Sequence, residues 1–103
     1  MTHTVLRAYC GLNGIHGADS NNADREALIV ELCEKWFPNG CTTYDAVGLW
    51  NCGGQERTVI IEVMSDGYDT ARDRIRHFAA EYKEFGEQEA VLLTAQPIEA
   101  DFV

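Results

Sequence analysis

Arg7, Tyr9, Tyr44, Trp50 and Glu62 combine residue types and spacing that could do chemistry. A guanidinium holds a carboxylate, a phosphate or a flat ring, and tyrosine and tryptophan offer a planar apolar face with a polar tip. An arginine among aromatics therefore suits a small anionic or aromatic ligand, provided that all of them reach one surface. Glu62 opens a second reading, in which it neutralises Arg7 inside a contact between two copies of the chain. Arg57 is a further candidate ligand contact. It sits beside Glu56 and near Asp45 across an expected hairpin, a cluster that ordinary surface pairing also explains.

Other chemistry is thin. There is no G-x-S-x-G, no phosphate-binding loop and no H-E-x-x-H, and Ser20 and Ser65 fall in expected loops without a base beside them. His3, His16 and His77 are scattered, so no catalytic residue, metal-ligand set or cofactor is assigned. Arg72, Arg74 and Arg76 follow Asp69 and Asp73 at a spacing that suits pairing along a helix. The cysteines Cys10, Cys33, Cys41 and Cys52 form no C-x-x-C pair, which argues against a zinc knuckle. Cys41 and Cys52 bracket one strand and stand too far apart to bond, so free thiols are expected.

The elements that must position these residues follow from periodicity. Thr4 to Leu12 reads as a strand. Gly11 to Asn22 reads as a long polar loop of the kind that is often functional. Asp24 to Phe37 reads as a helix with Arg25, Ile29, Leu32, Cys33 and Trp36 on one face, Asn21 and Asn22 as caps, and Pro38-Asn39-Gly40 as its stop. Thr42–Trp50 and Glu56–Met64 form a hairpin around the turn Asn51 to Gly54. Asp69 to Phe85 is a second helix, with Ala71, Ile75, Phe78, Ala79, Tyr82 and Phe85 as its buried stripe and Gly86 closing it. Ala90 to Ala95 is a fourth strand ending near Pro97, and the tail from Ile98 to Val103 can add a short edge strand. The order β-α-β-β-α-β over residues 1–103 predicts one α+β, ferredoxin-like domain: a four-stranded antiparallel sheet with two helices on one face.

Strand alternation assigns the faces. Leu6, Ala8 and Cys10 point one way and Val5, Arg7 and Tyr9 the other. Val59, Ile61 and Val63 face the helices, with Val47 and Leu49 inward beside them. The outer face then carries Arg7, Tyr9, Tyr44, Trp50, Ile60, Glu62, Met64 and Leu92, with Arg7 opposite Glu62. That surface is too apolar to be left to water and predicts an interface or a groove.

Composition sets limits on partners. The chain has 103 residues, 46% of them apolar, and a net charge of −9 from 17 acidic and 8 basic residues. Such a balance argues against binding a nucleic-acid backbone and admits a basic protein partner, for which the acid-rich stretch around Glu84, Glu87 and Glu89 is the natural contact. No apolar run approaches the roughly 18 residues of a membrane span, and the N-terminus does not read as a signal peptide. A cytoplasmic protein is expected.

The chain also resembles a family of small proteins known only as a domain of unknown function. The resemblance rests on Arg7-Ala8-Tyr9-Cys10-Gly11-Leu12, on Phe37-Pro38-Asn39-Gly40-Cys41-Thr42 with Asp45, Gly48 and Trp50, on Glu56-Arg57, and on Tyr82, Phe85 and Gln88-Glu89-Ala90-Val91-Leu92. Cys10, Cys41 and an extra Glu87 depart from the pattern. Some relatives look like lipoproteins, a location that this chain without their leader does not inherit. The resemblance implies the fold, supplies no activity, and singles out Trp50, Glu56, Arg57 and Gln88.

These readings lead to a non-enzymatic binding protein, homodimeric through the open sheet face. Its ligand is a small anionic or aromatic molecule such as a nucleotide signal, or a protein surface. Such a protein suits a phage-type anti-defence inhibitor. The alternative is a small enzyme of oxygenase or isomerase type with a cavity beside the sheet, in which Glu62 or Asp45 is the base and Arg7 the stabiliser. A third option is an inhibitor that meets a basic protein through the acidic edge.

Overall fold

The computed structural model describes residues 2–50 and 54–103, and Trp50 only in its backbone. The chain runs β1(Thr2–Gly11), α1(Asn22–Trp36), β2(Thr42–Trp50), β3(Gly54–Ser65), α2(Tyr68–Phe85) and β4(Leu92–Glu99). The strands form one sheet in the order β2-β3-β1-β4, with all three neighbouring pairs antiparallel. Both helices pack on the same side, which is the expected ferredoxin-like arrangement. The turn residues Asn51 to Gly53, Cys52 among them, lie outside the described residues.

Period-two burial builds the helix side of the sheet. Leu6, Ala8 and Cys10 of β1 join Ile61 of β3, Ile29, Leu32 and Cys33 of α1, and Ile75, Phe78 and Tyr82 of α2 in one core. Each large side chain removed from water there stabilises the fold by roughly 1.5–3 kcal/mol. Burial pushes the Cys33 thiol up to about 12, with Cys41 beside it, and raises the Cys10 thiol further. Cys10, Cys33 and Cys41 are free.

Helix ends follow local chemistry, with one difference. Asn21 stands at the N-cap of α1, but its side chain makes no capping bond. Its backbone N–H instead donates to Asp19 Oδ1 at 2.9 Å. Gly86 ends α2, where its N–H donates to the Tyr82 carbonyl at 2.8 Å. A Cβ on Gly86 would stand 2.6 Å from that oxygen, so the close approach needs glycine.

Three expectations change. β4 begins at Leu92 rather than Ala90 and continues through Pro97, opposite Thr4, to Glu99; no separate strand follows Ile98. An edge strand tolerates the proline because alternate N–H groups face away from the sheet. Phe85 is exposed rather than buried in the α2 stripe. Val47 and Leu49 are 63% and 71% exposed, although their parity puts them on the helix side; β2 runs past the end of the helical cover. No helix among the described residues is long and apolar enough to cross a membrane.

Candidate functional site

The outer face forms largely as strand alternation requires. Arg7 pairs with Glu62, Tyr9 with Ile60, and Tyr44 with Ile60 from the other side, while Leu92 lies opposite Tyr9. Arg7 Nε donates to Glu62 Oε1 at 2.8 Å. This bond, the largest cause, together with the Tyr44 hydroxyl, holds the proton on the guanidinium more tightly. Tyr44, Met64 and Leu92 are all exposed on this face, and no helix covers it. At one end the C-terminal tail reaches back, and Phe102 meets the His3 ring edge-on at 5.6 Å.

At the other end the face hollows into a cleft of about 680 Å³. Tyr9, Thr58 and Ile60 line it from the central strands, Ala46 to Leu49 from β2, Ala90 and Val91 from the approach to β4, and Leu92 and Leu93 from its start. Its lining is mostly apolar, with a few polar groups among it, the usual composition of a small-molecule site. Glu56 and Gln88 are the two residues that bring a carboxylate and an amide to it.

Both are held by the strand end and the loop after it. Glu56 Oε2 accepts from the Asn13 backbone N–H at 2.9 Å. The carboxylate reaches that position because residue 11 is glycine: a Cβ there would lie 2.5 Å from Glu56 Oε2. Gln88 Nε2 donates to the Asn13 carbonyl at 2.6 Å and the Gly86 carbonyl at 2.9 Å. Beneath, Tyr82 of α2 donates its hydroxyl to the Gly11 carbonyl at 2.5 Å, and burial pushes that phenol's pKa up.

The loop from Leu12 to Asn21 is anchored by Arg25, which is 3% exposed. Its guanidinium donates to the Leu12 carbonyl at 3.0 Å, to the Gly86 carbonyl at 2.6 Å, and to both oxygens of Asp19 at 2.6 and 2.9 Å. Arg25 in turn holds the Asp19 carboxyl below the usual carboxylate range. Within the loop, Gly14 and Gly17 exchange backbone hydrogen bonds of 3.0 and 2.9 Å.

The residues singled out from sequence therefore divide. Arg7, Tyr9, Tyr44 and Glu62 share the outer face, but of these only Tyr9 lines the cleft. The Trp50 side chain lies outside the described residues. Arg57 projects to the helix side, where it meets Glu26 at 2.7 Å and Asp45 at 3.3 Å. The polar cluster expected of Asp45, Glu56 and Arg57 thus takes Glu26 in place of Glu56, because adjacent residues of β3 point to opposite faces. Face assignment left the cleft's Glu56, Thr58 and Gln88 out of the ligand set, although the family resemblance pointed to Glu56 and Gln88. The shared register of Gly11 with Thr58 was the remaining clue, since it leaves Glu56 just beyond the end of β1.

A family model described as "Protein of unknown function (DUF3574)" matches residues 7–102. No match is found among curated proteins. Among solved structures, the fold is similar to a phage SAM lyase in its apo state, with TM-score 0.67 and 16% identity over 97% of this chain and 91% of that one. It is also similar to a phage SAM lyase in complex with S-methyl-5′-thioadenosine, with TM-score 0.65 and 16% identity over 91% and 80% of the two chains. A de novo designed protein, Foldit4, matches with TM-score 0.58 and 12% identity over 96% and 99%. Likenesses this distant speak for the fold.

Proposed function

The chain belongs to the DUF3574 family, and from that starting point we propose that it is a binding protein whose outer-face cleft takes a small aromatic ligand of nucleoside type. The single observation that carries this is the cleft itself: an apolar hollow of about 680 Å³ with Tyr9 on one side and the Glu56 and Gln88 side chains at hand. A flat base fits against the Tyr9 ring and the aliphatic wall, and a ribose offers hydroxyls to the carboxylate and amide. The nucleoside-bound phage structure with the same fold supports the ligand class. The paired charges of Arg7 and Glu62 beside the exposed Tyr44, Met64 and Leu92 support a second copy of the chain across the same face, roofing the cleft. A phage-type inhibitor that sequesters a nucleotide-derived molecule would use this arrangement.

A small enzyme is the second reading, favoured by a carboxylate held in place inside an apolar hollow. Native mass spectrometry of freshly purified protein separates these readings. Binding predicts a dimer carrying a retained small molecule, displaced by S-methyl-5′-thioadenosine. Catalysis predicts that S-adenosylmethionine is consumed faster than in a protein-free control. An empty monomer that neither binds nor turns over either compound removes both.

A further inference from the structure

We propose that the cleft selects its ligands by charge: it takes nucleoside-type molecules that are neutral or positively charged and rejects phosphorylated ones, with Glu56 as the selecting group. The inference rests on the reading of the cleft as a ligand site and narrows it, since aromatic and anionic ligands stood side by side in the sequence.

Among the described residues the lining carries one formal charge, and it is negative. No lysine, arginine or histidine lines the cleft among the described residues. The Asn13 amide fixes the Glu56 carboxylate at 2.9 Å, and the missing Cβ of Gly11 gives it room, so the charge sits at a defined place over the end of β1. The residues at the hairpin tip outside the described set, Asn51 to Gly53, bring no formal charge.

The cations nearby are committed elsewhere. Arg7 shares the face but is bonded to Glu62 at 2.8 Å. Arg57, next to Glu56 in sequence, turns to the opposite side to meet Glu26 and Asp45. Arg25 lies beneath the loop, bonded to Asp19 and two carbonyls. Helix N-termini, the other common phosphate holders, are also missing from the cleft: neither the first turn of α1 nor that of α2 lines it. A phosphate would thus meet a carboxylate in apolar surroundings within a molecule of net charge −9, and no lysine, arginine or histidine among the described lining residues would draw it in. An ammonium or other cationic centre would gain a charge-assisted contact in the same place.

Titration calorimetry of the full chain with adenosine, adenosine 5′-monophosphate and 5′-amino-5′-deoxyadenosine tests this. The amine should bind most tightly and the monophosphate most weakly, the two differing by at least about tenfold, the scale of one charge-assisted hydrogen bond. Glu56→Gln keeps an acceptor for Asn13 and should shrink that gap to within about threefold. On the wild type, added salt should weaken the amine and leave adenosine unchanged, a readout independent of how the variant folds. Monophosphate binding equal to adenosine binding, or a gap unchanged in Glu56→Gln, would overturn the charge selection and leave the cleft standing as a site. If none of the three binds, or if amide shifts on binding fall away from Ala90 to Leu93, the cleft reading falls and the selection falls with it.

Discussion

At the scale of single residues, the contact between Gly11 and Glu56 joins backbone to chemistry. A methyl group at position 11 would displace the carboxylate rather than the strand, because the carboxylate is the movable end of a side chain. Gly11→Ala should therefore cost about 1 kcal/mol, the worth of the Asn13–Glu56 hydrogen bond, and should cost little in a Glu56→Ala background. Urea unfolding of the two single variants and the double variant reads that coupling; additive losses would show that the two positions act independently. Site residues were only half legible in the sequence for the same kind of reason. Alternation tells which face a side chain takes, and it placed Arg7, Tyr9, Tyr44 and Glu62 together. It does not tell where along that face the sheet hollows. That depends on how far β1 extends against β3, and so Gln88 was reached through family resemblance alone, and Glu56 through it and through a hairpin cluster in which Glu26 takes its place.

At the scale of elements, the strands and helices were legible because burial period and breakers agreed. Gly86 after the α2 stripe fixed one helix end, and the alternation of Val59, Ile61 and Val63 fixed β3. The extent of β4 was missed because Pro97 reads as a stop, whereas an edge strand absorbs it. The loop after β1 was expected to be long and polar, of the kind that is often functional. Its order comes from Arg25, whose place on the apolar face of α1 was visible but whose carbonyl partners, Leu12 and Gly86, lie 13 and 61 residues away. The Arg25–Asp19 pair makes a pH prediction. Asp19 titrates below its ordinary value of 3.8 in the folded protein. Its contribution is complete above that ordinary value and is lost as the pH falls through the lowered one. Between about pH 6 and about pH 3, wild type should lose more stability than Asp19→Asn, and the two should converge in acid. Chemical denaturation at several pH values measures this; parallel curves would show that the pair contributes nothing.

At the scale of the whole molecule, a strongly acidic chain carries an apolar face without a helix over it. Like charge keeps copies apart at neutral pH, and the face draws them together. Approaching the pI of about 4.6 should therefore strengthen self-association. Sedimentation velocity should show a larger dimer fraction at about pH 5 than at about pH 8 in dilute salt, and Leu92→Glu should reduce it at both. An unchanged monomer would mean that water alone covers the face. The guanidinium of Arg25 has a consequence of another kind. It begins on α1, in the first half of the chain, and spends bonds on Leu12 and on Gly86, one acceptor from each half. A fragment cut between β2 and β3 would leave that cation in an oily interior with a principal acceptor gone. The two βαβ halves share this joint as well as every strand pairing of the sheet, and neither half can be expected to stand as a separate piece.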